Sequence, residues 1–264
     1  MIRKLLLSLV IFLLLSLVSC SKYQKLLKST DNELKYESAL DYFEKKDYTR
    51  SLELFDLLQS FYRGTSKGEE ISYRMAYCYY NLKDYNVASF YFKKHAETYP
   101  TSARAEECAF MNAYCYYLDS PRPSLDQSNT ILAIKELQAF MDQYPGSSRI
   151  AECNTLIDNL RAKLEEKDYN IALLYLKMMD YQAAITSFQN LLRKYPDTER
   201  GEDVLQKMVL ANYEYAEKSI ADKQKERYEA AIESYNNLKF QYPESIYLKS
   251  LEPVVAKARK KLSN

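Results

Sequence analysis

The dipeptide Tyr-Pro occurs four times, at Tyr99-Pro100, Tyr144-Pro145, Tyr195-Pro196 and Tyr242-Pro243, and the residues ahead of each proline keep register. Fifteen positions before it stand Tyr85, Thr130, Tyr181 and Tyr228. Twelve before stand Ala88, Ala133, Ala184 and Ala231, and eight before stand Phe92, Leu137, Phe188 and Tyr235. An earlier copy fits with Tyr48, Ser51 and Phe55, and has Arg63 where the proline would be. Spacings of four and seven between small, large and apolar positions mark one face of a helix. The small residue lets a neighbouring helix come close, and the large one fills the groove.

Upstream of each copy lies a second pattern, Ala-x-x-Tyr, at Ala39/Tyr42, Ala76/Tyr79, Ala113/Tyr116 and Ala172/Tyr175. It includes the pentapeptide AYCYY, repeated at Ala76–Tyr80 and Ala113–Tyr117. Proline disfavours helical geometry in the residue before it, so each Tyr-Pro reads as stop and restart. Two residues later come Ser102, Ser147, Thr198 and Ser245, hydroxyls suited to an orphan N–H at the start of the next helix. The unit is helix, turn, helix, Tyr-Pro, five times over. Insertions are expected at Leu118–Asn129, a loop with two prolines, and around Asp222–Glu226. A third, Ser147–Met178, has no Gly or Pro and predicts one helix of about 30 residues, roughly 45 Å long.

Small-x-x-aromatic in the first helix, Ala-x-x-x-Phe in the second and a closing proline resemble the tetratricopeptide repeat. The resemblance implies an all-α fold, a right-handed α-solenoid of five helix pairs, with Ser245–Leu262 as a C-terminal capping helix.

The N-terminus predicts a compartment. Arg3 and Lys4 precede an apolar run, Leu5–Val18, too short for a comfortable membrane span but suited to a signal peptide. LVSC at Leu17–Cys20 resembles the bacterial lipobox, which implies that Cys20 receives diacylglycerol and an N-acyl chain and becomes the new N-terminus. Such chains anchor a protein without a spanning helix. The expected organisation is a lipoprotein signal peptide over 1–19 and a lipidated tether over 20–30. Repeats one to three follow over 31–146, and the long helix, repeats four and five and the cap over 147–264. The 37 basic residues less Arg3 and Lys4 leave 35 against 36 acidic ones, a balance that offers no footprint for nucleic acid.

Little in the chain suits chemistry. Cys78, Cys108, Cys115 and Cys153 recur at equivalent repeat positions, too far apart for disulfides, and read as small buried side chains. His95 falls where the other repeats carry Leu58, Phe140, Leu191 and Leu238, and is expected to be packed and hydrogen-bonded on an apolar face. Four glycines supply no phosphate loop, and one histidine supplies no metal cluster. The pairs Glu69-Glu70, Glu106-Glu107 and Glu165-Glu166 are expected to be solvated. The expectation is a non-enzyme without a cofactor or metal.

The aromatic residues are more informative. Tyr73, Tyr77 and Tyr80 follow four-then-three spacing, Phe110, Tyr114 and Tyr117 repeat it, and Tyr36, Leu40 and Phe43 occupy the same places in repeat one. By resemblance to tetratricopeptide arrays, whose first helices line a concave groove, Tyr36, Phe43, Tyr73, Tyr77, Tyr80, Phe110, Tyr114 and Tyr117 form a peptide-binding trough. Inter-repeat packing is the other reading of the same residues.

Lipobox, five repeats, the long helix and YPDT at Tyr195–Thr198 together resemble the BamD family of outer-membrane β-barrel assembly lipoproteins. That implies a scaffold lipid-anchored to the periplasmic face of the outer membrane. Its N-terminal repeats would receive unfolded β-barrel precursors, and its C-terminal repeats would dock the periplasmic domains of the barrel-forming subunit. A tetratricopeptide adaptor lipoprotein for other cell-envelope or cell-wall machinery is one alternative. A glycan-binding surface lipoprotein is another, disfavoured by the absence of tryptophan.

Overall fold

The computed structural model describes residues 22–263, and the signal peptide and Cys20 lie outside them. Among the described residues the chain is helical, with no strand. Eleven helices follow a short helical segment at 22–27: α1 Asn32–Glu44, α2 Tyr48–Gln59, α3 Ser66–Asn81, α4 Tyr85–Thr98, α5 Ala105–Leu118, α6 Ser128–Gln143, α7 Ile150–Lys177, α8 Tyr181–Lys194, α9 Gly201–Glu217, α10 Ala221–Gln241 and α11 Leu248–Ser263. The long helix and the cap are where the pattern places them, and the stretch around Asp222–Glu226 lengthens α10 at its start.

The repeat register is visible in burial. Ser51, Ala88, Ala133 and Ala184 lose all solvent contact, as do Phe55, Phe92, Leu137 and Phe188 one helical turn further on. Tyr79 stacks on Tyr91, rings 4.9 Å apart, so this tyrosine of the Ala-x-x-Tyr stripe packs within its own repeat. Burying side chains of this size contributes roughly 1.5–3 kcal/mol each, which outweighs weak local propensity as the source of helix order.

In repeats one, two and four the first helix passes to the second through a turn that the Tyr-Pro pattern does not reveal. Lys46, Lys83 and Met179 adopt φ near +60° (61°, 64° and 61°), the left-handed cap that ends a helix. Asp47, Asp84 and Asp180 follow at once, and each carboxylate accepts from a backbone N–H three residues on, in Arg50, Val87 and Ala183. Repeat one, lacking its proline, turns instead at Gly64, with φ 79°.

The helices form two compact units. The first comprises the described residues up to Pro121 with Asp126–Leu160, and the second Arg122–Leu125 with Arg161 onward, so the division falls inside α7. Unit one has two cores. One gathers Tyr36, Leu54, Phe55 and Ile71, and the other Phe92, Phe110, Leu137, Phe140 and Leu160. Tyr23 ties the segment 22–27 to the first: its hydroxyl donates to Glu53 at 2.6 Å and its ring meets Tyr42 edge-on. Unit two is built on Phe188, Leu191, Val204, Leu238 and Val255, with a smaller cluster of Ala216, Tyr228 and Ala258 beneath the cap. Lys167 holds the strip 122–125 to unit two by donating to the carbonyls of Pro123 and Leu125 at 3.3 and 2.7 Å.

All four described cysteines are free and buried. Burial pushes the thiols of Cys78, Cys108 and Cys115 up to about 11, 12 and 12, which leaves them protonated and inert. His95 requires a correction. It is fully buried on the expected face, but neither ring nitrogen has a hydrogen-bond partner. The cause is its register: a site shaped for leucine offers the rings of Tyr99 at 5.2 Å and Tyr73 at 5.9 Å, and no acceptor.

Candidate functional site

The aromatic face of unit one is assembled from α1, α3 and α5. Its first row is Tyr36, Tyr73 and Phe110, and each of these rings is covered by the cation that opens the following repeat. Lys67 lies 4.9 Å from the Tyr36 centroid, Arg104 4.3 Å from Tyr73, and Arg149 4.3 Å from Phe110. Unit two repeats the device with Arg200 4.6 Å from Tyr169. A guanidinium over a ring is favourable and directional, so this row joins one repeat to the next. Tyr36 and Phe110 are accordingly buried.

Carboxylates complete the joint, so Glu69, Glu70, Glu106, Glu107 and Glu165 are half-buried against expectation, while Glu166 is exposed as expected. Ser102 donates to Glu69 at 2.6 Å while accepting from the Arg104 N–H at 3.0 Å. Ser147 does the same with Glu106 and Arg149, and Thr198 with Glu165 and Arg200. At Ser102, Ser147 and Thr198 this hydroxyl therefore has two tasks, starting its own helix and gripping an earlier one, at the first turn of α3 and of α5 and midway along α7. Glu70 is bound by Arg74 at 2.6 Å and by Arg104. Burial pushes its carboxyl up, but the two guanidinium contacts outweigh this and hold it below the usual range. Arginine four residues after proline (Arg104, Arg149, Arg200) was a readable signal for this joint.

The second row divides. Tyr77 sets its ring edge-on to Phe92 at 5.0 Å and donates its hydroxyl to Glu107, which also accepts from Tyr73 at 3.2 Å. Burial, then the Glu107 acceptor, push the Tyr77 hydroxyl far above its ordinary titration range. Phe43 lies beneath Arg74 at 4.5 Å and meets Tyr48 edge-on. Tyr80, Tyr114 and Tyr117 differ. They are half-buried, and among the described residues their hydroxyls make no hydrogen bond. Phe110, Tyr114 and Tyr117 form a near-parallel stack, with centroid steps of 5.6 and 5.8 Å and interplanar angles of 17° and 14°. This stack with Tyr80 is a surface of rings and free hydroxyls that can accept apolar or aromatic groups while supplying hydrogen bonds.

No three His, Cys, Asp or Glu side chains among the described residues are placed to hold a metal ion, and none of their helices is long and apolar enough to cross a membrane.

Residues 28–227 match the family model YfiO, outer membrane lipoprotein. The chain belongs to the BamD family. The match begins ahead of α1 and ends within α10, so it takes in the joints and the aromatic face of unit one. Curated proteins give this BamD-family chain no match. Among solved structures it is similar to the tetratricopeptide domain of P58(IPK), at 15% identity and TM-score 0.39, covering 94% of this chain and 67% of that one. It is also similar to the TPR2AB domain of yeast Sti1 in its complex with pHSP90, at 12% identity and TM-score 0.41, covering 86% and 98%.

Proposed function

We propose that this protein is a lipid-anchored scaffold of the outer-membrane β-barrel assembly machinery. Cys20 carries the acyl chains and holds the two units at the periplasmic face of the outer membrane. The family match over residues 28–227 carries this reading. Unit two docks the periplasmic domains of the barrel-forming subunit. Unit one receives unfolded outer-membrane β-barrel precursors on the rings of Tyr80, Tyr114 and Tyr117. The remaining aromatic positions shape that surface from behind. The role is binding rather than catalysis, and it uses no cofactor.

Affinity purification of the full chain from detergent-solubilised envelopes is expected to recover a large β-barrel protein with periplasmic domains. Recovery of peptidoglycan-associated proteins alone would instead support a cell-wall adaptor. Within unit one, Tyr114→Ala with Tyr117→Ala is expected to weaken binding of peptides from the C-terminal strands of barrel precursors about tenfold, the share of a central aromatic contact. Thermal unfolding of the double variant checks that the loss is one of contact and not of fold.

A further inference from the structure

Very little chain lies between Cys20 and the first core of unit one. Of the stretch 20–30, residues 22–27 are helical, and Tyr23, Leu26 and Leu27 pack on that core. Tyr23 is only 7% exposed, its ring edge-on to Tyr42 with the Arg50 guanidinium 5.2 Å from its centroid. Ser21 and Lys22 alone separate Cys20 from this docked ring. At about 3.6 Å per residue, the Cα atoms of Cys20 and Tyr23 are at most about 11 Å apart, and Lys22 is within about 7 Å of Cys20. Acyl chains on Cys20 leave its backbone at the level of the headgroups. The end of repeat one that Tyr23 touches is then held at the membrane surface.

That end is where α1 turns into α2, and its charges are unevenly spent. Asp41 pairs with Lys45, Glu44 with Arg74 and Asp47 with Arg50, while Glu53 accepts from Tyr23. Four carboxylates are thus engaged. Lys22, Lys25 and Lys46 are exposed, and among the described residues none of them holds an ion pair. Lys46 stands in the turn itself, at φ 61°.

We propose that Lys22, Lys25 and Lys46 contact anionic phospholipid headgroups, so that repeat one rests against the membrane that holds the anchor. The contact rests on the acylation of Cys20 proposed above. Lys22 then lies inside the Debye length of about 8 Å at physiological ionic strength. A lysine this close to an anionic surface contributes about fivefold in affinity. The short tether selects the occupant, since an acidic protein would have to displace a bilayer already beside these side chains.

The test uses the full chain purified from membranes, with acylation of Cys20 read from its mass. It is placed in lipid nanodiscs of phosphatidylcholine, alone or mixed with phosphatidylglycerol. A water-soluble acetylating reagent then reports each lysine by peptide mass. An anionic surface both covers the amine and favours its unreactive ammonium form. Lys22, Lys25 and Lys46 are expected to react at least about threefold more slowly on the anionic discs, while Lys94, exposed near the far end of α4, keeps its rate. In about 1 M salt, where the Debye length shrinks to about 3 Å, the difference should disappear. Lys22→Glu with Lys46→Glu should return Lys25 to its rate on neutral discs, at an unchanged melting temperature. Equal rates on the two discs, protection that survives salt, or a Lys25 rate unmoved by the double variant would overturn the contact. A chain without acyl groups on Cys20 would instead overturn the anchor, and with it the nearness this surface needs.

Discussion

His95→Leu is expected to raise the stability of unit one by about 1–3 kcal/mol at neutral pH, the usual cost of burying a polar group whose hydrogen bonds are unmade. Leucine is what three other repeats carry at this position, so the substitution restores a packing the fold already uses. The benefit should grow in acid. Burial pushes the imidazole below its ordinary value near 6.5, opposed by Glu69, Glu70 and Glu107 and assisted by Arg104. In the unfolded chain it titrates at that ordinary value. Above it both states are neutral and the histidine contributes no pH dependence. As pH falls from about 6.5 towards the depressed folded value, only the unfolded chain takes up the proton, and stability drops by up to about 1.4 kcal/mol per pH unit. Urea midpoints of the wild type and His95→Leu at pH 8 and pH 5.5 read both effects. A gap between the two proteins that narrows in acid would mean that a carboxylate, Glu69 being the foremost, captures the protonated ring and keeps it folded.

The histidine also shows which parts of this molecule its sequence reveals. Its burial was legible because burial follows register, and five copies of one helical pattern overdetermine register. Its missing partners were not, because pairing depends on side chains that neighbouring helices bring from 20 to 40 residues away. The same divide runs through the aromatic face. Four-then-three spacing places Tyr73, Tyr77 and Tyr80 on one side of a helix, whichever helix packs there. That Arg104 covers Tyr73, and that Glu107 takes the Tyr77 hydroxyl, depends on the step from one repeat to the next. Adjacent glutamates read as solvated on an isolated helix, yet Glu70 and Glu165 are only about one-fifth exposed because the next repeat lies over them. The turns between paired helices did leave a local trace in Asp47-Tyr48, Asp84-Tyr85 and Asp180-Tyr181, each aspartate capping the helix its tyrosine begins.

Tyr77→Ala is expected to destabilise unit one by about 3 kcal/mol, whereas Tyr117→Ala costs about 1 kcal/mol. The difference follows from what each ring touches. Tyr77 lies within 5.0 Å of Phe92 and 4.9 Å of Tyr73, so truncation opens a cavity between the paired helices of repeat two, at the low end of the cost for a large aromatic. It also removes a donor from Glu107 and so loosens the joint to repeat three. Tyr77→Phe isolates that second part, and the loss of a hydrogen bond to a charged acceptor predicts about 1.5 kcal/mol. Among the described residues Tyr117 stacks on Tyr114 alone and holds no hydrogen bond, so its removal leaves the helix pairs in place. Denaturant unfolding of the three variants, with peptide binding measured alongside, separates scaffold from surface. The expected pattern is stability lost at Tyr77 and affinity lost at Tyr117. Stability kept with affinity lost at Tyr77 would move that ring from the inter-repeat joint to the binding surface, and would extend the surface back across repeat two.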